Sequence, residues 1–250
     1  MTINEGGLAL NLFGKTDIGR KRENNQDVFY LYQFNGKAGF AIVCDGMGGQ
    51  SGGHIASDMT CTIVSQRLMD GSQRILEGSG IRDLMVEAIS EANIEVYKRS
   101  NTEPGCKGMG TTIVLAIVSG EHIYLAHIGD SRAYLYSGGQ LHQLTRDHSL
   151  VQELRDQGKI SDAEMKNHPN KNMITRAVGV NLMVDIDYLE LTPEPGSKLL
   201  LCSDGLTNMV PDGEIAEVLR AQSGDTVCGR LVALANANGG SDNITVALIE

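Results

Sequence analysis

Residues 111–139 read TTIVLAIVSGEHIYLAHIGDSRAYLYSGG, and the architecture is decided in this stretch. Three apolar, β-branched runs, at 111–119, 122–128 and 132–137, follow one another almost without interruption. Ser119-Gly120 and Gly138-Gly139 are turn pairs of hairpin length, so these runs fold back as antiparallel neighbours rather than through helical crossovers. Outward from this centre, strand-like runs recur at 39–44, 184–191, 198–202 and 244–249, and helical patterns at 55–69, 81–99, 149–157, 212–221 and 226–236. The pattern at 81–99 is the clearest: Ile81, Leu84, Met85, Ala88, Ile89, Ala92 and Val96 recur every three or four residues as one apolar stripe, which covers a sheet. Strands in antiparallel runs and helices in blocks predict a layered α+β protein rather than a doubly wound one.

The bulk composition narrows the functions. With 250 residues and 41% hydrophobic content, the chain buries a sizeable core. No repeat, low-complexity tract or linker divides it, so residues 1–250 are expected to form a single domain. The opening MTINEGGLALNLFGKTD lacks the basic and apolar regions of a leader, and no apolar run approaches a membrane span, which predicts a cytoplasmic protein with no membrane partner. Five scattered cysteines without a CxxC pair exclude a disulfide framework and a thiolate zinc site. A net charge of -10 without a Lys/Arg block argues against nucleic acid, while surplus carboxylate suits hard cations. The lack of an exposed apolar seam predicts a monomer.

Three apolar strands empty directly onto an aspartate: AIVCDG onto Asp45, YLAHIGDS onto Asp130 and KLLLCSDG onto Asp204, while Asp242 in SDNITVALIE stands just before a fourth strand. One Asp-Gly pair is an ordinary turn, but strand ends from distant parts of the chain can meet at one edge of a sandwich. Crowded carboxylates require cations, and an all-oxygen set points to Mg²⁺ or Mn²⁺ rather than zinc. Two such ions acidify a shared water and hold it in line with phosphorus. A phosphomonoester also needs a fork of donors, and Arg20 and Arg22 in RKRENNQD precede Asp27. From spacing alone, an exposed basic patch explains the two arginines equally well.

The motifs TDIGRKRENNQD, VCDGMGG, GMGTT, HIGDSRAY, TRDHSLV, NMITRAVG, CSDGL and SDNITV, in this order, resemble the metal-dependent protein phosphatases of the 2C type, especially compact bacterial members, over nearly the whole chain. The resemblance implies a four-layer α-β-β-α sandwich, two antiparallel sheets flanked by helix pairs, with metals in a cleft at the sheet edges. It implies hydrolysis of phosphoserine and phosphothreonine in proteins, by direct attack of a water bridging two Mn²⁺ or Mg²⁺ ions. By position, Asp45 would bridge the ions, the Gly46 carbonyl would complete one site, and Asp204 and Asp242 would hold the other ion. Asp27 would act through water, Arg22 would bind the phosphate, and Asp130 with Asp204 would hold a third, weaker ion. Arg20 matches nothing and reads as solvated surface. Residues 149–175 would form a movable flap, and a phosphorylated partner would be a serine/threonine kinase or its substrates.

Two departures from the family pattern stand beside that match. Gln50 and His54 replace a His and a Glu that relatives often carry, and Met47 occupies the place of a histidine that serves some relatives as a candidate general acid. Other motifs are weaker. Cys61-TIVSQ-Arg67 has the spacing of a cysteine phosphatase but lacks glycine and continues a helical pattern. The glycines of GMGG lack the Lys-Ser/Thr of a nucleotide loop, and no helix start directly follows them; they read as a close backbone approach to a metal. Asp185 and Asp187 read as the solvated face of a strand. His148 and His168 flank the flap and are candidates to touch substrate phosphate, and Arg176 fixes the flap's return. Two rivals remain: a protein that binds phosphoproteins without turnover, and a metal hydrolase of small phosphates or cyclic nucleotides.

Overall fold

The computed structural model describes residues 10–250, and for Gln50, Ser51 and Lys166 the backbone alone; most of the opening stretch scanned for a leader, and the Gln50 side chain, lie outside the described residues. Two antiparallel sheets face each other. The first is built from β1 (Leu12–Asp17), β7 (Arg132–Ser137), β8 (Gln140–Gln143), β10 (Lys198–Cys202) and β11 (Ile244–Ile249), in the order β1-β11-β10-β7-β8. The second runs β2-β3-β5-β6-β9, from β2 (Asp27–Asn35), β3 (Ala38–Met47), β5 (Ile113–Ser119), β6 (His122–Ile128) and β9 (Asp187–Leu191), with the two-residue β4 (Gly110–Thr111) on the end of β3.

Between the sheets, alternate residues of both faces interdigitate: Val43, Ala116 and Leu125 from the second meet Leu201, Ala247 and Ile249 from the first. The other faces are covered by helices. Against the second sheet lie α1 (Gly49–Asp70), the short α2 (Ser72–Glu77) and α3 (Ile81–Thr102), whose stripe Leu84, Met85, Ala88, Ile89 and Ala92 is buried with Phe40, Ile42 and Leu115. Against the first lie α7 (Asp212–Ala221) and α8 (Asp225–Ala237), through Ile215, Leu219, Leu231 and Val232. Strands β3 and β5 are therefore covered on both faces, and this is why they read as continuous apolar runs rather than as alternation.

Several boundaries differ from the sequence reading. The run at 111–119 is two strands, because Thr112 leaves the ladder to bond Asp45. The run at 184–191 is a strand only from Asp187. Helix α1 begins six residues early, on the last glycine of GMGG, which corrects the expectation that no helix start directly follows those glycines. The physical reason is close packing: a Cβ on Gly46 would lie 2.1 Å from the Gly53 carbonyl oxygen, so glycine lets the first turns of α1 rest on β3. Between β8 and β9, residues 149–175 hold α4 (Leu150–Asp156) and α5 (Asp162–Lys166), and α6 (Asp204–Thr207) follows β10. No helix of the described residues is long and apolar enough to cross a membrane.

Candidate metal centre

The aspartates meet at one edge of the sandwich. Asp27 opens β2 and stands directly across from Asp45 of β3, a like-charge pair that a sheet tolerates poorly on its own. Asp204 follows β10 as the first residue of α6, and Asp242 precedes β11, so the first sheet supplies two carboxylates and the second sheet two more. Asp130 enters from the turn between β6 and β7. A cleft of about 630 Å³ is lined by Asp45, Gly46, Asp130, Asp204, Asp242 and Arg22. Asp27 lies behind it and is buried.

Small polar residues hold these carboxylates in place. Ser203 Oγ donates to Asp27 Oδ2 at 2.7 Å and accepts from the Thr245 amide at 3.0 Å, joining the two sheets beneath the cleft. Thr112 Oγ1 accepts from the Asp45 amide, and Asn208 Nδ2 donates to Asp204 Oδ2 at 2.9 Å. Asn243 Oδ1 accepts from the Gln26 amide while its Nδ2 donates to the carbonyls of Ile18 and Asn24, pinning the loop that carries Arg22. Arg22 Nη2 donates to Asp242 Oδ2 at 2.7 Å from the exposed rim. These supports were not singled out from the sequence. Their only trace there is a small polar residue next to an aspartate at the end of an apolar run.

The electrostatics are those of a cation site. Burial pushes the Asp27 carboxyl up to about 7, with Asp204 and Asp242 adding to the rise and hydrogen bonds from Thr245 and Ser203 opposing it. Burial and the neighbouring Asp27 and Asp204 push Asp45 well above the carboxylate range; burial and Asp204 do the same to Asp130. Asp204 is raised to about 6 by burial and Asp242, with Asp45 and Asn208 opposing the rise. Asp27 Oδ1 and Asp204 Oδ1 are buried without a hydrogen-bond partner. Oxygen donors that repel one another and lack partners fit divalent cations, and the all-oxygen set fits Mg²⁺ or Mn²⁺.

Two candidates, His148 and His168, are not brought to the cleft. His148 is buried beneath the turn before Asp130, with Nδ1 accepting from the Gly129 amide, so it cannot touch substrate as the sequence reading allowed. His168 is half-buried, its Nδ1 taken by the Asn170 amide, and it does not line the cleft. Asp187 is exposed at the start of β9, as read from the sequence, but its carboxylate also pairs with His148 and Arg176; Asp185 is exposed too and lies outside the strand. Cys61 is buried within α1, its thiol pushed up to about 12 by burial, which removes the cysteine-phosphatase reading. All five cysteines are free and buried. Met47 lines the cleft, His54 is exposed on α1, and Arg20 is exposed.

The family model described as Protein phosphatase 2C matches residues 16–234. The chain belongs to the protein phosphatase 2C family. A serine/threonine phosphatase stp from Listeria innocua is 39% identical over 239 residues, 94% of each chain. The structure of the Streptococcus agalactiae serine/threonine phosphatase superposes with a TM-score of 0.86 at 38% identity, covering 96% of this chain and 98% of that one. The catalytic domain of the serine threonine protein phosphatase PstP in complex with two manganese ions superposes at 0.83, with 31% identity over 97% of this chain and 98% of that one. As a 2C-type phosphatase the chain is a hydrolase with the α+β sandwich of those structures, and the family is metal-dependent.

Proposed function

We propose that this protein removes phosphate from phosphoserine and phosphothreonine in proteins. The observation that carries the reading is the meeting of Asp45, Asp204 and Asp242, with Arg22 at the rim, in one cleft at the junction of the sheets. Asp45, the Gly46 carbonyl, Asp204 and Asp242 would hold two Mn²⁺ or Mg²⁺ ions, with Asp27 acting through water, and Asp130 with Asp204 would hold a third. Bound there, the ions supply positive charge and lower the pKa of a shared water, the nucleophile. Arg22, now on Asp242 at the rim, would orient the phosphate by presenting two parallel donors to its oxygens. Asp27 keeps Ser203 and Thr245 in register behind the cleft, so that Asp204 and Asp242 approach Asp45 from the other sheet. Among the described residues lining the cleft there is no histidine to protonate the leaving group.

A polypeptide substrate is favoured over small phosphates by a second cavity of about 600 Å³, which shares Asp130, Asp204 and Asn172 with the first and extends along residues 149–171. It offers a bed for the chain flanking the phosphorylated residue. The names of the relatives support the same substrate class. In this reading residues 1–250 form a single catalytic domain with a flap at about 149–175. It acts as a cytoplasmic monomer that opposes a serine/threonine kinase or resets its substrates.

The test is hydrolysis of p-nitrophenyl phosphate and of a phosphothreonine peptide, with and without Mn²⁺, by the native chain and by Asp204→Ala. Turnover of both substrates that requires Mn²⁺ and falls at least about a thousandfold in the variant is the expected result. A folded native chain inert with both Mn²⁺ and Mg²⁺ would leave a phosphoprotein-binding role in its place.

A further inference from the structure

His148 makes five polar contacts, to Gly129, Thr175, Asp187 and Arg176. Its amide donates to the Gly129 carbonyl at 2.8 Å, and its Nδ1 accepts from the Gly129 amide at 3.0 Å, so both backbone groups of Gly129 are held by one residue. Its own carbonyl accepts from the Thr175 amide at 2.8 Å. Because Nδ1 is an acceptor, a neutral ring carries its proton on Nε2, which lies 3.1 Å from Asp187 Oδ2 and donates to it. Arg176 Nη1 donates to the other Asp187 oxygen at 2.7 Å and packs 3.2 Å from Nε2. Only 2% of His148 is exposed, so its ring is shielded from water, while the Asp187 carboxylate it meets reaches the surface.

The partners have unequal positions in the fold. Gly129 precedes Asp130, one of two carboxylates shared by both cavities. It sits at φ +110, and a Cβ there would lie 2.5 Å from Thr112 Cγ2, so the turn has little room to move sideways. Thr175 and Arg176 are the point where the segment containing α4 and α5 returns to the body, and Ser149, next to His148, is where it leaves; Ser149 and Ile174 bridge across that base. Asn172, two residues inside the base, lines both cavities. One buried residue, through backbone and ring, thus ties both ends of the flap segment to the turn that presents Asp130.

We infer that His148 is a positioning residue that couples the flap to the Asp130 cation site. It clamps Gly129 through ring and backbone while its carbonyl and the Asp187–Arg176 pair hold the flap's return. The inference rests on the metal-dependent reading above and names no contact of His148 with substrate. The cluster His127, His148 and Asp187 has the composition of a transition-metal site, and both ring nitrogens of buried His127 lack hydrogen-bond partners. Yet the Arg176 guanidinium occupies the place a dication would need, against both His148 Nε2 and Asp187. Here an arginine, not a metal, closes the cluster.

The experiment measures Mn²⁺ binding to the full chain by calorimetry and the rate of tryptic cleavage at exposed Arg155 and Lys159, for the native chain, His148→Ala, His148→Asn and Asp187→Asn. In His148→Ala the weakest class of Mn²⁺ sites is expected to lose affinity by about tenfold, the size typical of a residue behind a metal ligand, while the tighter classes are unchanged and cleavage accelerates severalfold. His148→Asn, whose side-chain oxygen can take the place of Nδ1, should recover Mn²⁺ affinity but not flap protection, because the link to Asp187 is lost. Native-like Mn²⁺ binding and cleavage in His148→Ala would overturn the inference. Were that variant not to fold, Asp187→Asn decides: because it keeps the Nδ1 contact with Gly129 and loosens the flap's return, faster cleavage with Mn²⁺ affinity retained supports the coupling, and native-like cleavage overturns it. A native chain binding two ions and no third would overturn the coupling and leave the phosphatase reading standing, whereas one binding none would overturn both. Co²⁺ bound with absorption bands abolished by His127→Ala would show a metal in the cluster and overturn the coupling as well.

Discussion

At the scale of single residues, Arg22 and Asp242 show how the site is poised. Their 2.7 Å contact spans 220 positions of sequence and lies at the exposed rim, so it contributes little to stability and leaves the guanidinium free to exchange one oxyanion for another. Arg22→Ala should lower kcat/KM for a phosphopeptide by about ten- to a hundredfold, mostly through KM, and Arg22→Lys should restore only part, since an ammonium lacks the planar fork; steady-state kinetics at saturating Mn²⁺ check both. His127 gives a pH prediction away from the cleft. Burial, with His148 beside it, holds its imidazole down to about 3, against 6.5 for a free histidine. Above about pH 6.5 it is neutral whether folded or unfolded; below that the unfolded chain takes up a proton that the folded chain refuses. Its contribution is therefore complete above 6.5 and is lost as pH falls toward 3. Urea melts from pH 7 to 4.5 should show stability falling less steeply in His127→Gln than in the native chain. The carboxylates at the strand ends were legible in sequence because an acidic residue closing an apolar run is conspicuous. Ser203, Thr245, Asn243 and Thr112, which hold them, were not, because hydroxyl and amide side chains are common at turns and their partners lie on the other sheet.

At the scale of elements, the apolar stripe of α3 and the central strands were plain, since burial on one face or both leaves a period that sequence displays. Three of the four edge strands were not. Strand β1 carries Gly14 and Lys15 and is only half-buried, β2 faces solvent with Gln33 and Asn35, and β8 is four largely polar residues. Such strands are made by their neighbours, through a ladder that sequence periodicity does not record. Helix α1 was shortened in the reading for the opposite reason: glycines that look like a loop are required where the helix rests on β3. Ile89, fully buried on α3 against the second sheet, tests the stripe. Ile89→Ala should cost about 2–5 kcal/mol in urea unfolding, by lost transfer energy and the cavity left behind, without altering Mn²⁺ affinity, because α3 supplies none of the carboxylates.

At the scale of the whole molecule, the layered architecture was legible because hairpins predominate in the middle of the chain, whereas the pairing of its distant parts was not. Strand β11 lies between β1 and β10, with Asp17 opposite Ile244 and Leu12 opposite Ile249, and it carries Asp242 into the cleft from its leading end. That arrangement has a kinetic consequence. Pairings between residues more than two hundred positions apart are slow to form, so the last carboxylate joins the others only when β11 has zipped between its neighbours, near the end of folding. Before that step there is no complete cation site to recognise. Manganese should then leave the refolding rate in dilute urea unchanged while slowing unfolding by the whole binding factor, about a hundredfold at a hundred times the dissociation constant. Stopped-flow measurements with Mn²⁺ and with chelator would show one limb of the chevron moving and the other still. An ion that enters last acts as a latch: it does nothing to guide the chain home, and much to decide how long it stays.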